Sequence, residues 1–204
     1  MLSVCIGHKN RAFVQAPGGE FRPLFRASFA ALVAALVELG EPAEIVIADF
    51  SDDDRLGLGP WIADSCGIPV RVVRGAGPFT FGGGRNQAVA EAGGEQLFFM
   101  DADMLTPAAV IRRGLQVLAE GKAFAPFYER LDVGGGVSQK GIGTGNLFCL
   151  RNQFREAGPY KETPEWSGDE DSAMWHWWES RGLGVREAIP GFVHQWHPHV
   201  DRVI

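Results

Sequence analysis

The chain has 204 residues, 46% of them hydrophobic and 22% charged, with a net charge of −6. That is the make-up of one globular domain with a sizeable core. A pI near 5.4 leaves no broadly basic face, which argues against nucleic acid or an acidic membrane as the general partner. Cys5, Cys66 and Cys149 are too far apart for a disulfide framework or a zinc spacing, so a reducing cytoplasm is the expected compartment. No apolar run approaches a membrane span, and Met1-Leu2-Ser3-Val4 reads as strand rather than signal peptide.

Strand and helix signals alternate along the chain. Residues 2–6 read as a first strand, ending at Gly7-His8-Lys9-Asn10-Arg11. Pro23 suits an early helix position, and Phe25, Phe29, Leu32, Val33, Leu36 and Val37 recur at helical spacing up to Gly40. Residues 45–48 form a second strand that stops at Asp49 and an acidic loop at Ser51-Asp52-Asp53-Asp54. A short helix near 60–65 leads to a strand at 70–73, and Gly82-Gly83-Gly84 opens a helix that runs to 92. An apolar run at 97–100 suits a strand buried on both faces, and a helix from Pro107 ends where Gly121 stops it. Residues 123–127 read as strand. Beyond them Gly134-Gly135-Gly136 and the run from Gly141 to Gly145 suggest a mobile connection able to act as a lid. A strand at 147–150, a helix at 170–181 and a last strand at 192–196 complete the chain. The βαβ order of the first half predicts an α/β fold with a mixed, mostly parallel central sheet flanked by helices.

Four constellations carry chemistry. Asp101 and Asp103 follow the buried run at 97–100, and ligands of open α/β sheets bind beyond the carboxyl ends of the strands. Two carboxylates there suit a hard divalent cation that in turn holds phosphates. Gly82-Gly83-Gly84-Arg85-Asn86 opens a helix, so backbone N–H groups and the Arg85 charge are candidates for an anion. Asp169-Glu170-Asp171 follows Trp166-Ser167-Gly168 and starts another helix. Capping by the helix dipole accounts for one or two of these carboxylates, while the third leaves room for a general base. His194, His197 and His199 lie within six residues, and imidazole with carboxylate suits Mn²⁺ better than Ca²⁺. In a continuous strand His194 and His197 would face opposite ways, so only one of them is expected to join Asp103. Of Trp166, Trp175, Trp177, Trp178 and Trp196, most are expected in the core and some as a sugar-stacking platform.

Together these residues resemble a GT-A-fold glycosyltransferase of the family 2 type, a Rossmann-like nucleotide-diphospho-sugar transferase fold. Residues 82–103 are the strongest segment, and residues 144–171 are similar to the acceptor side of the galactosyltransferase and polypeptide N-acetylgalactosaminyltransferase subgroup. The resemblance implies one domain, with a nucleotide-sugar-binding half at 1–105 and an acceptor-binding half at 106–204. It implies Asp49, Arg85 and Asp101 on the donor, with His8 and Asn10 beside them, and Asp103 with His194 on Mn²⁺ or Mg²⁺. Asp101 and His197 are the further metal candidates, and Trp166, Gly145 and Asn146 would face the acceptor. Asp171, or its neighbours Glu170 and Asp169, would be the base of an inverting transfer. The donor would be a UDP- or GDP-sugar, and the acceptor a glycan, lipid or small molecule. Three places depart from the family pattern: Gly7-His8-Lys9 after the first strand, a single Asp49 where a pair is usual, and one extra residue before Glu170. A nucleotidyltransferase-like enzyme and a non-catalytic sugar-nucleotide binding protein of the same fold are the alternatives.

Overall fold

A computed structural model describes residues 1–52, 58, 62, 67–163 and 169–198. In chain order the elements are β1 (Leu2–His8), β2 (Phe13–Gln15), β3 (Phe21–Pro23), α1 (Leu24–Leu39), β4 (Ala43–Asp49), β5 (Val70–Arg74), α2 (Phe81–Glu91), β6 (Gln96–Phe99), β7 (Met104–Leu105) and α3 (Ala108–Ala119). They continue with β8 (Ala123–Phe124), β9 (Phe127–Leu131), β10 (Val137–Ile142), β11 (Leu147–Leu150), α4 (Arg151–Ala157), α5 (Asp169–Glu179), β12 (Gly184–Val185) and β13 (Ala188–His194).

The punctuation of the sequence is used as its chemistry demands. Pro23, which has no N–H to lose, caps the start of α1, and Gly40 closes it at φ 66° while donating to Leu36 O. Between them Phe25, Phe29, Leu32 and Leu36 turn one stripe into the core.

Among the described residues the central sheet has seven strands in the order β12-β8-β11-β6-β1-β4-β5. The neighbours of β1, namely β4 and β6, run parallel to it, and β5 runs parallel to β4. Strand β11 is antiparallel to both β6 and β8, which makes the sheet mixed, as expected. Val4, Cys5 and Ile6 are fully buried because each face of the sheet carries helices. One face packs Phe25, Phe29, Ile111 and Phe148. The other packs Ala88, Phe154, Trp175 and Trp178. A second sheet, β10-β9-β13-β7, joins His194 to Met104 across its β13–β7 pair.

Several expectations change. The segment 123–127 is not one strand: β8 belongs to the central sheet and β9, beginning at Phe127, to the second. The glycine-rich connection is not a free lid, because β10 pairs antiparallel with β9. Asp132 closes that hairpin by accepting from the N–H groups of Gly134 and Gly136, each at 2.8 Å. Helix α4 was not legible in the sequence; it is held by Arg151, whose guanidinium donates to the carbonyls of Gly94, Val89 and Ala92. The last strand ends at His194 rather than at 196. The proposed helix at 60–65, apart from the buried Ile62, lies outside the described residues, as do Asp53, Asp54, Cys66, Trp166 and His199. No helix among the described residues is long and apolar enough to cross a membrane.

Candidate functional site

Strand β6 runs beside β1, and the Met100 N–H still bonds Cys5 O before the chain turns through Asp101, Ala102 and Asp103 into β7. Because β7 pairs with the end of β13, Asp103 is set beside His194. Its carboxylate is almost fully buried, with His197 Nε2 at 3.1 Å and His194 Nε2 at 3.5 Å. Both histidines therefore converge on Asp103, contrary to the alternation expected of a longer strand. The strand stops at His194, the Gln195 N–H donates to Asp103 O, and the Gln195 amide is fixed on Ser28 Oγ at 2.8 Å. The chain thus turns back and returns His197 to the same point.

One ligand atom from each of Asp103, His194 and His197 lies within 4.8 Å of the others. Burial by itself would push the Asp103 carboxyl up, but His194 and Arg11 beside it prevail and hold it well below the usual carboxylate range. Burial also favours the neutral form of His194, against the pull of Asp103. Asp103 Oδ1 and His194 Nδ1 are buried without a hydrogen-bond partner among the described residues. An ionised carboxylate and two imidazoles, with lone pairs left over, are a donor set that fits a divalent transition ion. Asp101, expected near the same ion, instead faces Arg85.

Arg85 is the second centre. It is buried, donates to Asp101 at 2.7 Å and to Asp171, and has Glu170 at 3.8 Å. Its guanidinium also lies 5.1 Å from the Tyr160 ring centroid. At the start of α2, where an anion was expected, the Gly83 and Gly84 N–H groups both bond Thr80, the latter to its carbonyl at 2.9 Å. Thr80 caps the helix by accepting from the Gly83 N–H. A Cβ on Gly82 would clash with Lys161 O, and Gly84 packs on Gly7, where a Cβ on either would come within 3.0–3.1 Å of the other's Cα. Gly84 permits close helix–strand contact and Gly82 close contact with the backbone at Lys161, and the helix they open delivers Arg85 to three carboxylates.

Asn146 spends its side chain on Asp101, accepting from the Asp101 N–H at 3.0 Å and donating to Oδ2 at 3.1 Å. Gly145 lies so close to Asp171, Arg85 and Asp101 that a Cβ there would stand 2.8–3.0 Å from all three. Asp169 is exposed, Glu170 buried and Asp171 partly buried at the first turn of α5. Burial, reinforced by Asp101 and Glu170 against the opposing charge of Arg85, raises the Asp171 carboxyl to about 6.

Asp49 and His8 are tied to each other. His8 Nδ1 lies 2.9 Å from Asp49 Oδ1, which also accepts from Ser51 Oγ at 2.6 Å. Asn10, in a left-handed conformation at φ 51°, exchanges hydrogen bonds with Asp52. Trp175 and Trp178 are core residues, whereas Trp196 lines the open space beside the site.

That space is a cavity of about 840 Å³, bordered by Asp101, Asp103, Arg85, Asp171, His194 and His197. Lys9, Arg11, Tyr128 and Arg130 also line it and were not singled out from the sequence. Tyr128 stacks on His194 with centroids 5.6 Å apart, and burial with the Asp101 charge pushes its hydroxyl up to about 12, so it stays neutral. Lys9 and Arg11 were legible only as members of the run Gly7-His8-Lys9-Asn10-Arg11 after the first strand, with no role given to either.

The fold is that of several solved structures of TarS from S. aureus. It superposes on residues 1–349 of TarS from S. aureus in complex with UDP-GlcNAc with a TM-score of 0.69 at 12% identity, covering 100% of this chain and 61% of that one. The complex with UDP gives 0.68 at 13% identity over 96% and 60%. The longer TarS structure gives 0.67 at 13% identity over 96% of this chain and 36% of its own. The chain thus spans about 60% of the length of the 1–349 structures it matches. No curated protein sequence matches it. Residues 23–170 match the profile described as Glycosyl transferase family 2, a stretch that includes Arg85, Asp101 and Asp103 and stops short of Asp171, His194 and His197. With well over half its length inside that profile, and with the matching fold around it, the chain belongs to glycosyl transferase family 2.

Proposed function

We propose that this chain is a metal-dependent glycosyltransferase domain that moves a sugar from a nucleoside diphosphate sugar to an acceptor hydroxyl with inversion. The observation that carries it is the convergence of Asp103, His194 and His197 with the Arg85–Asp171 pair on one cavity. Family membership and the likeness to TarS structures holding UDP and UDP-GlcNAc support a UDP-sugar as donor.

Asp103, His194 and His197 would hold Mn²⁺ or Mg²⁺, and the two imidazoles favour Mn²⁺. When bound, the ion supplies Lewis acidity to the departing diphosphate. The remaining work belongs to side chains. Asp171 takes the proton of the acceptor hydroxyl, and a carboxyl raised to about 6 is a stronger base than an ordinary one. Arg85 and Gly145 keep that carboxylate in place, and Asn146 does the same for Asp101 on the donor side. Residues 1–105 form the donor half and 106–204 the acceptor half of one domain, the latter of the galactosyltransferase and N-acetylgalactosaminyltransferase kind. The reading extends to a cytoplasmic location, from the cysteine pattern.

Calorimetry with UDP tests the proposal. Binding in Mn²⁺ should weaken at least about tenfold when the metal is chelated or when Asp103 is replaced by Asn. Equal affinity in all three conditions would overturn the metal-bridged reading.

A further inference from the structure

Arg11 leaves the end of β1 and reaches the carboxylate at the end of β6. Its Nη1 donates to Asp103 Oδ2 and lies 3.3 Å from His197 Nε2. One guanidinium corner thus faces two of the three donors gathered for a cation. It also supplies the countercharge that a buried ionised carboxylate requires, which explains how Asp103, His194 and His197 stand assembled. The lone pairs of Asp103 Oδ2 and His197 Nε2 cannot face both an N–H group and a divalent ion. Two cations sharing one buried carboxylate also repel each other.

We propose that Arg11 is a surrogate cation that holds the site until a divalent ion displaces it, and that the released guanidinium then turns to the donor diphosphate. The cavity gives it somewhere to go: Arg11 and Lys9 already form part of its wall. A planar guanidinium suits phosphate oxygens, and a diphosphate bridged to the metal would bring its charge to that place. The inference rests on the metal reading of Asp103, His194 and His197, and it gives Arg11 opposite effects on the two ligands. Arg11 opposes binding of the metal alone and favours binding of the diphosphate once the metal is present.

The test uses the metal-stripped protein in four forms: wild type, Arg11→Gln, Arg11→Lys and Asp103→Asn. Calorimetry measures Mn²⁺ alone, then UDP at saturating Mn²⁺. Arg11→Gln should bind Mn²⁺ at least about tenfold more tightly than wild type and, with Mn²⁺ present, bind UDP about tenfold more weakly. Arg11→Lys keeps the charge and should stay within about threefold of wild type for Mn²⁺, which guards against misreading a folding defect. Should Arg11→Gln bind Mn²⁺ no more tightly while Asp103→Asn loses it, Arg11 is only a structural ion pair and the metal reading survives. Tighter Mn²⁺ with unchanged UDP affinity would overturn the transfer of Arg11 to the diphosphate. Wild-type Mn²⁺ binding by Asp103→Asn would sink the metal reading and this inference together.

Discussion

At the scale of single residues, the site depends on where charge is balanced and where it is left in excess. Arg85 offers one positive charge to Asp101, Glu170 and Asp171, so burial, helped by the two neighbouring carboxylates, raises Asp171 to about 6. Two consequences have opposite signs with pH. The proposed base role requires Asp171 ionised, so kcat/KM, which reports the free enzyme, should climb with pH along a limb centred near 6. As part of the fold, its raised pKa favours the native state below the ordinary carboxylate range, and that contribution is lost as pH rises through about 6. Asp171→Asn should lower kcat on the order of a hundred-fold or more, leave UDP affinity nearly unchanged, and remove that segment of the melting-temperature profile. A variant that melts differently but turns over normally would return Asp171 to the role of a helix cap. Asp169, exposed at the same helix start, is the internal control: Asp169→Asn should change stability slightly and spare turnover.

At the scale of elements, the position of Arg85 is set by how closely α2 approaches β1. Gly7 and Gly84 face each other there, and a Cβ on Gly84 would stand 3.0 Å from Gly7 Cα. Both contacts are backbone, so neither side can yield without moving an element. Gly84→Ala should cost about 1–3 kcal/mol of stability and shift Arg85, measurable as a lower melting temperature together with reduced kcat. Loss of stability with full kcat would show that Arg85 tolerates movement of its helix. Three glycines before a helix look like a phosphate cradle in sequence, and in the fold Gly82 and Gly84 are also needed for close packing. Sequence separates the two uses only when the facing strand is known, because a glycine needed for close approach carries no mark of what it approaches.

At the scale of the molecule, the donors for the proposed ion come from distant parts of the chain: Asp103 from the β6–β7 turn, His194 from the end of β13 and His197 from the residues after it. A metal there would staple the second sheet to the central one. Mn²⁺ should raise the melting temperature, by an amount corresponding to about 2.7 kcal/mol at a hundred times its dissociation constant. Hydrogen exchange should slow most in β7 and β13. The double variant His194→Ala/His197→Ala should lose both responses; retention of either places the ion elsewhere.

The chain by itself determined the alternation of strands and helices, the ends of α1 at Pro23 and Gly40, and the family through residues 82–103. Those signals are local: periodicity, capping and a buried run that stops at two acids. It also offered as candidates the carboxylates and histidines that the fold brings to one cavity, since their chemistry is legible without coordinates. Tertiary structure decided how they are shared. The end of β13 at His194 brings both histidines to Asp103, where an unbroken strand would have parted them. The Gly7–Gly84 contact accompanies the placing of Arg85 beside Asp101 and Asp171. Arg11, given no role of its own from the sequence, enters the site because two strand ends far apart in the chain lie together in the fold. A side chain's reach is fixed by its own chemistry, but its partner is fixed by backbone paths that local sequence does not encode.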